Sequence, residues 1–209
     1  ITHHHSDHYI DLDHFIITRW IMGADKPLHI YGPIRQKKII ENMLAAHEYD
    51  LKIRVEHQGT NRSLPEGIIH EIGEEIIFDI DGLKITAFHV EHPPVDPAFG
   101  FRFDTQNRSI VISGDTAYSE TLLEKARGVD VLIHEVISDS GLSRNSAGFQ
   151  AYHRGSHTPA SALARLAAEA KPKTLVLYHG LFYGVPESVV IDEVAAGYTG
   201  HTVLANDLD

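Results

Sequence analysis

The sequence predicts a layered α/β fold, with helices lying outside mixed β-sheets. Three observations carry that expectation. Asp81-Gly82 sits between two alternating apolar runs, which is a strong hairpin signal. Residues 129–136 form a nearly continuous apolar run of the kind a strand covered on both faces requires. Thr158-Pro159 opens an amphipathic helical pattern, and a second apolar strand at 174–178 follows it.

In chain order, a histidine-rich loop comes first. Leu28-His29-Ile30-Tyr31 reads as a short strand ending at Gly32-Pro33, and Pro33 suits the first position of a helix, where its missing N–H would have no partner. Ile34, Ile39, Ile40, Met43, Leu44 and His47 then share one helical face. The stretch 53–90 reads as strands, with 75–80 and 83–90 as the arms of the hairpin. Residues 99–103 and 109–113 form another strand pair around a polar Gln106-Asn107 turn. Ser119 is placed to cap a helix carrying Leu122, Leu123 and Ala126. The helix opened by Thr158-Pro159 buries Leu163, Leu166, Ala167 and Ala170 and stops at Lys171-Pro172. Between these elements, residues 138–156 are rich in Ser, Gly, Asn and Arg and show no period, so they read as a long loop of the kind that is usually functional. Arg144, Phe149, Tyr152, His153 and Arg154 within it suit a lid or substrate wall. No repeat or Ser/Gly linker interrupts the chain, and residues 1–209 read as one domain.

Composition narrows the chemistry. The 209 residues carry 18 Lys+Arg against 29 Asp+Glu, and a net charge of −11 opposes a phosphate backbone, so nucleic acid is the disfavoured partner and a small-molecule ester the expected one. With no cysteine and 16 histidines, any metal must be held by imidazole and carboxylate. No apolar run is long enough to span a bilayer and no charged-then-apolar leader is present; no membrane partner is expected, and the cytoplasm is the default compartment.

Residues 2–8 read Thr-His-His-His-Ser-Asp-His. In an extended chain His3, His5 and Asp7 project to one side, with His8 beside Asp7. One loop could therefore offer two imidazoles to one metal and a carboxylate plus an imidazole to a second.

His3-x-His5-x-Asp7-His8 resembles the signature of the metallo-β-lactamase superfamily, and the remaining motifs are similar to its ribonuclease Z and arylsulfatase-like branch. The resemblance implies an αββα sandwich with a dinuclear metal site at its edge. His92, upstream of Pro97-Ala98-Phe99-Gly100-Phe101-Arg102-Phe103, looks like the third ligand of the first metal. Ser113-Gly114-Asp115-Thr116 resembles the segment whose aspartate bridges both ions, and Leu177-Tyr178-His179 the segment supplying the last ligand. Leu132-Ile133-His134-Glu135, Ser156-His157-Thr158-Pro159-Ala160 and the terminal Val203-Leu204-Ala205-Asn206-Asp207-Leu208 match three further segments. By this resemblance His3, His5 and His92 hold one ion, Asp7, His8 and His179 the other, and Asp115 bridges them. Two Zn²⁺ suit such donors, and Mn²⁺ or Fe²⁺ also fits. Asp7 would orient a metal-bridging hydroxide, and His157 paired with Glu135 would protonate the leaving oxygen. His134 reads as a buried, hydrogen-bonded residue, and His4 as an anchor of the loop.

The implied function is a dinuclear-zinc hydrolase acting on a phosphodiester, sulfate ester or related small ester. The alternatives are a tRNA 3′ endonuclease of ribonuclease Z type, a β-lactam or lactone hydrolase, and a non-catalytic metal-binding module. The resemblance also implies a homodimer. Two departures stand out. His3 lies two residues from the start, whereas family members place strands before this motif, so an upstream segment and an intact mass above 23.3 kDa are expected. Only residues 104–108 join the strands where tRNA-maturing relatives carry a protruding arm, which favours a smaller ester.

Overall fold

The computed structural model describes residues 1–57, 65 and 67–206. Contacts divide the chain into two units: Ile1 with His3–Gly73, and Thr2 with Glu74–Asp209.

In the first unit, a 3-10 turn at Ser6–His8 leads into α1 (Leu12–Ile21), β1 (Leu28–Gly32), α2 (Gln36–Ala46), α3 (Glu48–His57) and β2 (Gly67–Glu71). β1 and β2 pair in parallel, with Leu28 opposite Gly67 and Gly32 opposite Glu71. Ile16, Ile30 and Ile40 form its small core, and Leu12, Leu28, Leu44 and Ile69 pack on it. Three expectations fail here. The helix does not begin at Pro33: Arg35 takes a left-handed conformation (φ 82°), α2 starts at Gln36, and Ile34 is left exposed. α1 lies where only a loop was expected. Residues 53–57 are helical rather than extended: they belong to α3, which buries Leu51 and carries two ion pairs at i,i+4 spacing, Lys52 to Glu48 (2.6 Å) and Arg54 to Asp50 (2.7 Å). The same expected strand stretch also covers residues 58–64 and 66, which lie outside the described residues.

The second unit holds a seven-stranded sheet. Its strands are β3 (Ile76–Ile80), β4 (Leu83–His89), β5 (Phe99–Asp104), β6 (Ser109–Ile112), β7 (Val131–Ile137), β8 (Thr174–Leu181) and β9 (Thr202–Leu204), which pair in sequence order. β3 to β6 are antiparallel, as hairpins require, and β6 to β9 are parallel. The hairpin turn falls at Asp81-Gly82 as expected, with both residues at positive φ (54° and 79°), the geometry that matches strand twist. The final expected segment reaches Asp207 and Leu208, outside the described residues.

Parallel pairing requires crossovers, supplied by α4 (Glu120–Ala126), α7 (Ala160–Ala170) and α8 (Glu187–Ala195). Leu122, Leu123, Leu163, Leu166, Val190 and Val194 from these helices bury against Val111, Leu132, Leu175 and Leu177 of the sheet. Each such aliphatic side chain contributes about 1.5–3 kcal/mol of burial free energy. The Ser119 cap holds: its side chain accepts from Leu122 N–H at 3.2 Å. α7 ends where expected, at a left-handed Lys171 (φ 53°). The expected loop at 138–156 is instead two helices, α5 (Asp139–Leu142) and α6 (Ala147–Ser156). Ser138 and Ser146, read as loop composition, are their N-caps, accepting from Gly141 N–H (3.0 Å) and Phe149 N–H (3.4 Å). Among the described residues no helix is long and apolar enough to cross a membrane.

Candidate active site

The histidine loop lies in the first unit. The extended alternation holds as far as His5 (φ −74°, ψ 142°) and then fails, because Ser6–His8 closes a 3-10 turn with His8 N–H donating to His5 O at 3.1 Å. The turn corrects the expected one-sided projection of Asp7. It groups the imidazoles instead: His3 Nε2 lies 3.2 Å from His5 Nδ1, and the His3 and His8 rings are 4.1 Å apart. Asp7 Oδ2 is 3.3 Å from His8 Nε2. His4 points elsewhere, to Gln36 Oε1 (3.2 Å), as expected of an anchor, and burial lowers its pKa.

In the second unit, Asp115 follows β6, Glu135 lies on β7, His179 on β8 and His157 between two helices. Asp115 follows β6 through Gly114, whose φ of 62° suits glycine and where a Cβ would come within 2.7 Å of Phe99 O. His179 owes its placement to a bulge. Glu135 pairs with Tyr178 but Val136 pairs with Gly180, so His179 is the extra residue of β8, held at φ 47°. Such bulges re-aim side chains, and a left-handed histidine is a strained conformation that the surrounding ladder maintains.

His157 sits between α6 and α7. Its Nδ1 is 3.3 Å from Glu135 Oε1 and 3.8 Å from Asp115 Oδ2, while His179 Nδ1 is 3.6 Å from Asp115 Oδ1. One ligand atom from each of Asp115, His157 and His179 lies within 4.8 Å of the others, a separation that fits a shared cation. His92, whose ring is 5.0 Å from His157, directs Nδ1 to Ser156 O at 2.6 Å. That hydrogen bond selects the tautomer with its lone pair on Nε2, the arrangement typical of a metal-binding imidazole. These local geometries fit divalent metal.

Glu135 is fully buried, and Oε1 accepts from the backbone N–H groups of Thr116 (3.2 Å) and Thr158 (3.0 Å). Burial, reinforced by the Asp115 charge, pushes its carboxyl well above the usual range, with the two N–H donors opposing. His134 behaves as expected of a buried residue. Its Nδ1 donates to Glu135 O at 2.7 Å, and burial lowers its pKa to about 4. Sequence reasoning missed the backbone contacts of Thr116, Thr158 and Ser156. It also missed Tyr183, whose hydroxyl is 2.9 Å from His153 Nδ1 and which carries no motif to find it by.

The architecture is that of metallo-β-lactamase fold proteins. The solved structure of the metallo-β-lactamase fold protein YhfI from Bacillus subtilis matches with a TM-score of 0.68 at 18% identity, over 98% of this chain and 73% of that one. The short form of human tRNase Z matches with a TM-score of 0.68 at 21% identity, over 100% of this chain and 76% of that one. The model of the Beta-lactamase superfamily domain matches residues 1–180. Ribonuclease Z of Mycobacterium marinum (strain ATCC BAA-535 / M) is 31% identical over 217 residues, covering 100% of this chain and 76% of its own length. Ribonuclease Z of Mycobacterium sp. (strain KMS) is 36% identical over 139 residues, 66% of this chain. That match covers 49% of the relative, so the chain spans about half the length of such curated relatives. The chain belongs to the metallo-β-lactamase superfamily, in its ribonuclease Z branch.

Proposed function

We propose that the chain hydrolyses phosphodiesters in RNA, with a tRNA precursor cut at its 3′ side as the substrate. The observation that carries this reading is the buried Glu135 and His157 pair, 3.3 Å apart. A departing ribose oxygen needs a proton, and a buried imidazole–carboxyl pair is suited to deliver one. Glu135, facing Nδ1, would hold a proton on that side of the ring and leave Nε2–H to move to the departing oxygen. The likeness to ribonuclease Z of Mycobacterium marinum along the whole chain supports RNA as the diester.

Bound divalent metal supplies an acidified water and Lewis-acid stabilisation of charge on phosphoryl oxygens. The ligand assignment proposed with it follows the motif order: His3, His5 and His92 for one ion, Asp7, His8 and His179 for a second, and Asp115 for both, zinc being the metal that suits these donors. Asp7 is proposed to orient the attacking water.

A small phosphodiester or sulfate ester is the second reading. The short turn between β5 and β6, where Asp104 already pairs with Ser109, favours it, because no arm projects there. The test is turnover by metal-loaded protein of a precursor tRNA with a 3′ trailer, bis-p-nitrophenyl phosphate, an aryl sulfate, a lactone and a cephalosporin. Cleavage of the trailer at its junction is expected. Turnover of small esters without the tRNA would move the conclusion to the second reading, and no turnover at all would favour a metal-binding module.

A further inference from the structure

We infer that α6 and the turn after β8 form a nucleobase-stacking subsite beside His157, with Phe149 and Tyr152 as its open faces. The inference rests on the phosphodiesterase reading and adds how the substrate is gripped. Phe149, Tyr152 and His153 stand three and four residues apart on α6, so they share a face of the helix. The Phe149 ring lies 4.1 Å from His153 and meets Tyr183 edge-on at 5.3 Å and 82°. The Tyr183 hydroxyl is 2.9 Å from His153 Nδ1, and the His153 ring in turn lies 5.7 Å from His157 at 21°, nearly parallel. A continuous series of rings therefore runs from the open side of α6 to the proposed proton donor.

The outer members of this series are not consumed by the core. Phe149 remains 38% exposed and Tyr152 50%, while Leu142 at the end of the preceding helix is fully buried. Tyr183 is held at φ 47° beside Gly184 at φ 82°, a backbone conformation uncommon for an aromatic residue, and it fixes the floor under Phe149. Arg144 Nη1 donates to Gly184 O (3.4 Å), which places a guanidinium beside that floor in an otherwise acidic chain. Flat π-faces next to a cation match a base and its phosphate. The Phe149 side chain carries no polar atom, so its contact is stacking rather than reading of a base edge, and it should tolerate any base. Because His157 is the group placed to protonate the departing oxygen, the stacked base belongs to the nucleoside that carries that oxygen.

The test compares two RNA substrates that differ only in whether that nucleoside carries a base or is abasic. The metal-loaded protein should favour the base-bearing RNA in kcat/KM by roughly tenfold or more, the usual scale of a base on an aromatic face. Phe149→Ala and Tyr152→Ala should collapse that ratio towards one, and Phe149→Tyr should keep it. An unchanged ratio in both alanine variants, an equal loss on both RNAs, or a ratio retained by Phe149→Leu would overturn the subsite. Where Phe149→Ala fails to fold, Tyr152→Ala carries the comparison. If neither RNA is cleaved, the hydrolytic reading fails, and the subsite is judged by calorimetry with adenosine 5′-monophosphate against ribose 5-phosphate. Tighter binding of the nucleotide by roughly tenfold, lost in Tyr152→Ala, supports it, and equal binding overturns it.

Discussion

Oε1 of Glu135 lies 3.3 Å from Nδ1 of His157 while also accepting the backbone N–H groups of Thr116 and Thr158, so one carboxylate oxygen serves three groups. Glu135→Gln keeps an oxygen for the two N–H donors but leaves an amide that can neither take nor give a proton at His157 Nδ1, so kcat/KM should fall for diesters with poor leaving groups while the fold is kept. His157→Ala should slow diesters with poor leaving groups by about 10²–10⁴-fold, the usual scale of a general acid, and nitrophenyl esters far less. A Brønsted plot against leaving-group pKa checks this; equal losses across the series would remove the proton-donor role.

Chelation provides a second expectation. Removing divalent metal from the protein should abolish hydrolysis and lower the thermal midpoint, and added Zn²⁺ should restore both. At a free metal concentration a thousand times Kd the linkage is worth about 4 kcal/mol per site. Metal analysis of His92→Ala should show less bound metal than the native chain, because its Nδ1 bond to Ser156 O orients the ring for that role.

Acid stability should pass through Asp130. Its carboxylate accepts from Ser109 N–H (2.7 Å) and Lys173 Nζ (2.7 Å), and the lysine bond is the leading cause of a pKa held down at about 2. A depressed carboxyl contributes stability above the unfolded value of about 4 and loses it as pH falls towards 2. Asp130→Asn should lower the thermal midpoint at neutral pH and flatten its decline between about pH 4 and pH 2. Melting curves across that window read the difference directly.

Gly141 offers a test of packing. A Cβ at this position would collide with the carbonyl of Phe182, which is backbone and cannot swing away. Gly141→Ala should destabilise the chain by about 1–3 kcal/mol in urea unfolding, as overpacking does. Ser143→Ala on the same short segment removes only a hydroxyl bond to Ser140 O (2.7 Å) and should cost less.

Much of the second unit was legible because its signals are local. Asp81-Gly82 demands a tight hairpin, Ser119 caps α4, and the apolar runs around Leu132 and Leu175 can only be covered strands. Of the helices that the sequence did not announce, α3, α5 and α6 were hidden for identifiable reasons. Ser138 and Ser146 look the same whether they solvate a loop or cap α5 and α6, since only the partner N–H groups tell the two apart. Ile53 and Val55 favour strands by their branching, and the signals that go with a helix here, the buried Leu51 and the spacing of Glu48 with Lys52 and Asp50 with Arg54, lie in residues just before and between them. In the site, residue types and order were readable, but the bulge that sets His179 at φ 47° comes from the register of two strands distant in sequence.

Glu193 on α8 accepts from Asp139 N–H (2.9 Å), Ser140 N–H (2.9 Å) and the hydroxyls of Ser138 (3.2 Å) and Ser140 (2.6 Å). The family match ends at residue 180, thirteen positions before this carboxylate, whereas Val190 and Val194 belong to the main core. A fragment trimmed to the matched region would thus strip the clasp from α5 and expose the apolar surface under α8. Recombinant boundaries for this chain should follow its packing rather than the extent of that family match, and run past β9.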